Sequence, residues 1–90
     1  MLNTLRSDID KLDLQLLSLL SKRMQICREI GNYKQQQGLP VMQQQRFDEM
    51  LQQRLNYARK LGFDTDFTIE LFNLIHKESL HQQTADTCIQ

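Results

Sequence analysis

Apolar residues recur along the first third of the chain at alternating intervals of four and three: Leu5, Ile9, Leu12, Leu16 and Leu19, then Ile26, Ile30 and Tyr33, with Arg23 holding one place in the row. This is the period of a coiled-coil seam. It predicts one uninterrupted helix from about residue 2 to about residue 37, closed by Gly38-Leu39-Pro40. A second helix is expected over about 43–61, with Phe47, Met50, Leu51, Leu55, Ala58 and Leu61 inward and Gly62 suited to its end. A third is expected over about 65–83. Asp64 would cap it, Asp66 would favour its first turn, and Phe67, Leu71, Phe72, Leu74, Ile75 and Leu80 would form its apolar face. Residues 84–90 are expected to be a frayed tail. The reading is a single all-α domain, 1–90, of one long and two shorter helices. The Gln runs at 35–37, 43–45 and 52–53 are too short to be low-complexity sequence.

The length of the first helix changes the picture. About 35 residues at 1.5 Å each make roughly 50 Å, whereas a compact globule of this size has a radius of gyration of about 12 Å. Such a helix would carry its apolar seam beyond its own core. A second copy laid alongside would cover it, so the pattern predicts a homodimer.

Composition narrows the function. Eleven Lys and Arg balance eleven Asp and Glu, which argues against nucleic acid or an anionic membrane as partner. No apolar run approaches a membrane span, and the N-terminus lacks a signal-peptide layout. Cys27 and Cys88 are too few and too far apart for a disulfide scaffold or a metal site. The expectation is a soluble cytoplasmic protein with reduced thiols, no metal and no cofactor.

Candidate chemistry comes from polar residues at apolar positions. Arg23 interrupts the seam of helix one, and Lys34 lies eleven residues on, near the same face. In helix three the stripe Phe72, Ile75 continues to Ser79 and Gln83. Together these describe a pocket of two cations, a hydroxyl and an amide, suited to holding an anion rather than to acid–base work. Blander readings stand beside this one: Arg23 snorkels or pairs with a partner's Glu, and Ser79 and Gln83 make ordinary interhelical hydrogen bonds. His76 and His81 read as surface or boundary residues, and Cys27 as a small core residue.

These residues resemble the all-helical class of chorismate mutases. The resemblance lies in Leu5-Arg6, Ile9 to Asp13, Leu16 to Met24, Glu29 to Lys34, Pro40-Val41, Arg46, Leu71 to Ser79, and Gln82-Gln83. It implies an intertwined homodimer that converts chorismate to prephenate by a unimolecular Claisen rearrangement, in the Phe/Tyr branch of aromatic amino acid biosynthesis, without cofactor. By position, Arg6 (from the partner chain), Arg23 and Arg46 would surround the substrate carboxylates, assisted by Ser79. Lys34 and Gln83 would face the breaking ether bond as the catalytic pair. Arg6 and Lys34 are 28 residues apart, roughly 40 Å along one helix, so shared sites follow if both act on one ligand.

The family usually has acidic residues where this chain has Gln43 and Phe47, and there they contact the substrate's ring hydroxyl. Gln43 can still hydrogen-bond; the Phe47 side chain cannot. An aromatic residue after Arg46 resembles the variant fused to deoxy-arabino-heptulosonate phosphate synthase, so a fused or associated synthase domain is an implied partner. Rival readings are an isochorismate pyruvate lyase of the same fold and a non-catalytic helical dimerisation or regulatory module.

Overall fold

The computed structural model describes residues 1–40 and 43–88, with side chains to Gln83; of the family-like pair Pro40-Val41, Val41 lies outside this range. The described chain is three helices: α1 (Leu2–Gln37), α2 (Gln44–Lys60) and α3 (Thr65–Cys88). Between the breaks the sequence is rich in Leu, Gln, Lys, Arg, Met and Glu, all strong helix formers. Both breaks are built alike. Gly38 (φ 69°) and Gly62 (φ 85°) adopt the left-handed conformation. The amides around each turn back on the preceding helix: Gly38 N–H to Gln35 O and Leu39 N–H to Lys34 O, Gly62 N–H to Arg59 O and Phe63 N–H to Ala58 O. This is the Schellman closure, which satisfies the last carbonyls of the helix. Asp64 caps α3 by accepting from the Phe67 amide at 3.0 Å.

The third helix runs to Cys88 rather than ending near Gln83 in a frayed tail, at least as far as the described residues reach. The physical reason is local: Thr84-Ala85-Asp86-Thr87-Cys88 contains neither Gly nor Pro, so nothing stops propagation. Residues 89 and 90 of the expected tail lie outside the described range.

Helices α2 and α3 form an antiparallel hairpin, and α3 crosses the C-terminal half of α1. The crossing is tight. A Cβ on buried Gly31 would lie 2.5 Å from the Gln83 carbonyl oxygen and 2.7 Å from its Cα, so only glycine permits this approach. The buried apolar core is small, consisting of Cys27, Met50, Leu55 and Ala58 beside Gly31, Thr68 and Ser79. Four positions expected to face inward, Leu61, Phe67, Leu71 and Leu74, are exposed. A three-helix layer has too few neighbours to cover every apolar side of α3.

The N-terminal half of α1 is exposed along its length. Every residue from Met1 to Leu19 is exposed, and the seam residues Leu5, Ile9, Leu12, Leu16 and Leu19 each expose more than half their surface. The molecule is 54 Å long with a radius of gyration of 16.2 Å, against about 12 Å for a compact chain of this length. Its accessible surface is 7275 Å²; a compact monomer of this mass exposes roughly 5,500 Å². No helix among the described residues is long and apolar enough to cross a membrane.

Candidate active site

A cleft of about 310 Å³ opens between α1 and α2, each of which packs on α3. That is the lower end of the range for small-molecule sites, roughly 300–1,000 Å³. Helix α1 contributes Arg23, Cys27, Ile30 and Lys34, spaced by four, three and four so that they share a face. Helix α2 contributes Arg46, Phe47, Met50 and Arg54, and Gln43 stands just before its first turn. Helix α3 contributes His76, Ser79, Leu80 and Gln83.

Seven of the eight residues predicted from sequence therefore meet here: Arg23, Lys34, Gln43, Arg46, Phe47, Ser79 and Gln83. Gln43 and Arg46 stand exposed at the rim, and the others are partly or fully buried. Arg6 is not among them. It is exposed on α1, 17 residues before Arg23, which is roughly 26 Å along the helix axis.

Two contacts between α1 and α3 organise the floor. A guanidinium N–H of Arg23 donates to the hydroxyl of Ser79, and the same nitrogen lies 3.7 Å from Cys27 Sγ. Ser79 in turn donates to the Ile75 carbonyl at 2.8 Å. Its hydroxyl is thus fixed in direction, and it orients Arg23 without neutralising it. Farther along, Lys34 Nζ donates to Gln83 Oε1 at 3.0 Å, which turns the NH2 end of that amide away from the lysine.

The cleft carries one sign of charge. Arg23, Lys34, Arg46 and Arg54 line it, and among the described residues none of its lining is acidic. Burial lowers the Lys34 pKa from its ordinary 10.5, an effect that Cys27 partly opposes. Burial, with the charges of Arg23 and Lys34, lowers that of His76 from 6.5. Both shifts say that positive charge is held here at a cost, which an arriving anion would offset. Among the described residues no group of three or more His, Cys, Asp or Glu could hold a metal ion.

Two members of the cleft escaped the sequence reading. Arg54 follows Arg46 and Met50 at helical spacing of four and four, which was the available signal. His76 lies on the stripe Phe72, His76, Ser79, Gln83, yet a lone histidine gives no reason to choose a cleft over a boundary. Its ring stacks on Phe47, with centroids 4.0 Å apart and planes at 29°.

A second hollow of about 200 Å³ lies at the α2–α3 turn, lined by Tyr57, Leu61, Phe63, Phe67 and Leu71 among others. Apart from Arg54, Tyr57 and Thr68 its described lining is apolar, and its exposed wall is almost wholly carbon, without the convergent polar groups that orient a reacting ligand.

The comparisons agree with this geometry. The sequence pattern of the chorismate mutase type II family matches residues 5–84. The chain is 37% identical over 78 residues to the T-protein of Haemophilus influenzae, covering 87% of this chain and 21% of that protein. It is 32% identical to the 4-amino-4-deoxychorismate mutase of Streptomyces venezuelae, covering 86% of this chain and 75% of that protein. It is 30% identical to the bifunctional chorismate mutase/prephenate dehydratase of Buchnera aphidicola, of which it spans 20%. With the matched segment running from the start of α1 to the last turns of α3 and including every cleft residue, the chain belongs to the chorismate mutase type II family.

Proposed function

We propose that this chain catalyses the Claisen rearrangement of chorismate to prephenate, as a homodimer in which each cleft receives Arg6 from the partner. The observation that carries the chemistry is a cleft lined by four cations, a fixed hydroxyl and two amides, with no acidic residue among those described. Chorismate carries two carboxylates, and its rearrangement needs no nucleophile, base or metal. Arg23, Arg46 and the partner chain's copy of Arg6 bind the carboxylates, and Ser79 holds Arg23 in place. Lys34 and Gln83 present N–H donors to the ether oxygen, which gains negative charge as its bond to the ring breaks. Donors placed there stabilise the transition state more than the ground state. A cleft of this size also selects the folded substrate conformer and so lowers the entropic part of the barrier.

The excess accessible surface, roughly 1,800 Å², supports the dimer, because each partner of an obligate pair loses about 1,000–2,500 Å². The exposed seam of α1 supplies a continuous face for it. The bifunctional relative supports the reading that such a domain also works within a longer polypeptide, and a fused synthase remains one such arrangement.

The relatives named for 4-amino-4-deoxychorismate bring in a second substrate. Its amine is an ammonium at neutral pH, and a cleft whose described charged residues are all cations disfavours it. The test is direct. Purified chain incubated with chorismate, 4-amino-4-deoxychorismate or isochorismate is followed for substrate loss and product. Prephenate from chorismate, with little turnover of the amino analogue, is expected. Pyruvate released from isochorismate, without prephenate, would make the chain a lyase instead.

A further inference from the structure

The carboxylate-binding and ether-facing groups leave one polar feature of the substrate without a partner, the hydroxyl on its ring. A hydroxyl taken from water into a closed site without a hydrogen bond costs free energy. The lining offers few candidates. Arg23, Lys34, Arg46 and Arg54 are donors only. Gln43 is exposed at the rim, and Phe47 has no polar atom. His76 is partly buried within the cleft, on α3 one turn before Ser79 and Leu80. A neutral imidazole offers one donor and one acceptor, the pairing that a hydroxyl uses.

We infer that His76 contacts the substrate and binds its ring hydroxyl, with its imidazole plane set by stacking on Phe47. The stack, with centroids 4.0 Å apart and planes tilted by 29°, places ring carbon against one face of the imidazole. Hydrogen bonds from imidazole lie in the ring plane, so this stack fixes the directions in which His76 recognises a ligand. Helix α2 thereby aims a side chain that α3 supplies, which gives an aromatic residue beside Arg46 a role that packing alone would not require. The surroundings keep the imidazole neutral. Burial opposes its protonation, as do Arg23 and Lys34 from α1, and Arg46 and Arg54 of α2 line the same cleft with the same sign of charge. A neutral imidazole also adds no fifth cation to the site.

This inference rests on the mutase reading, and the experiment separates the two. The parent, His76→Leu and His76→Asn are assayed for kcat/KM with chorismate and with the analogue lacking the ring hydroxyl, and each variant's thermal melt is recorded. The parent should favour chorismate over the analogue by about tenfold, the size of one neutral hydrogen bond in a closed site. His76→Leu should lose about tenfold on chorismate and nothing further on the analogue, because the partner group is already absent. His76→Asn, which keeps a donor and an acceptor, should recover most of the loss on chorismate. Equal losses on both substrates would show that His76 only packs and would overturn the assignment, as would full activity of His76→Leu on chorismate. A parent inactive on chorismate would remove the mutase reading and this assignment with it.

Discussion

Two inactive variants of this protein should restore each other's activity when mixed. Arg6 lies 28 residues before Lys34 on an unbroken helix, so roughly 42 Å separates their backbones. No cleft of about 310 Å³ brings both to one ligand from one chain. Arg6→Ala and Lys34→Ala should each lose about 10²–10³ in rate as homodimers, the cost of deleting a charged donor in a preorganised site. In a mixed dimer one cleft lacks both side chains and the other lacks neither. Random exchange makes about half of the dimers mixed, each with one whole cleft of two, so activity should return to about a quarter of the parental rate per chain. The assay is chorismate consumption after the two proteins have been held together at micromolar concentration. Subunit exchange is checked by native mass spectrometry with one chain isotopically labelled. Sedimentation equilibrium of the parent should give twice 10.7 kDa. If mixed dimers form and activity stays at background, Arg6 does not serve the partner's cleft and the two-chain site is wrong.

Three further outcomes follow from the cleft. Arg23→Ala should lose at least ~3 kcal/mol of transition-state stabilisation while melting within a few degrees of the parent, since Ser79 keeps its bond to Ile75 O; near-parental kcat/KM would make Arg23 structural. Gly31→Ala should lower the melting temperature although alanine favours helix by ~1 kcal/mol, because its methyl meets the Gln83 backbone at 2.5–2.9 Å and overpacking costs about 1–3 kcal/mol; a rise in Tm would refute the close crossing. The third concerns Lys34, whose pKa burial lowers from 10.5. The unfolded chain then binds more protons than the native one between the lowered value and 10.5, so the Lys34 contribution to stability rises with pH through that window. Activity should fall through the same window as the donor loses its charge. Lys34→Arg, which stays charged, should show neither trend, and parallel profiles for the two proteins would exclude Lys34 as the titrating group.

Much of the site was legible because it violates its surroundings. Arg23 breaks an apolar row of period 3.5, and Ser79 and Gln83 prolong an apolar stripe with polar groups. Helices are regular enough that positions sharing a face converge wherever a neighbouring helix crosses, so these exceptions met. The breaks were legible because Gly38 and Gly62 mark left-handed turns and Asp64 marks a cap. What was not legible depended on where the helices cross. Gly31 is one small residue in a long helix until the Gln83 backbone is laid against it. His76 becomes a cleft residue only once α2 brings Phe47 to its face. The exposure of Leu61, Phe67, Leu71 and Leu74 was hidden for the converse reason, since a pattern records which residues are apolar without recording whether this chain alone can cover them. The extension of α3 to Cys88 was missed because the end of the sequence was expected to fray, whereas residues 84–88 hold no Gly or Pro to end the helix.

In a chain with no net charge the described acidic side chains stand outside a cleft lined by cations, and several of them have neutral partners. Asp8, Asp10 and Asp13 lie on the exposed half of α1. Asp48 and Glu49 accept from the amides of Gln44 and Gln45, one turn away on α2 at 2.8 and 3.2 Å. Glu78 accepts from Gln82 at 2.7 Å, and the carbonyl of the same Gln82 accepts from Arg28. The abundant glutamines thus engage carboxylates that would otherwise compete for arginine and lysine. Inside the cleft Arg23 and Lys34 likewise donate to a hydroxyl and an amide oxygen. Those two hydrogen bonds orient Arg23 and Lys34 through neutral groups, while the cleft's cations repel one another with few buried apolar contacts to oppose it. Substrate carboxylates relieve that repulsion, and apolar area gained from a second chain would stabilise a fold that carries it. On this reasoning the overlong helix and the charged cleft are two sides of one design: the proposed dimer would supply both the burial that a one-signed site requires and the remaining arginine that completes it.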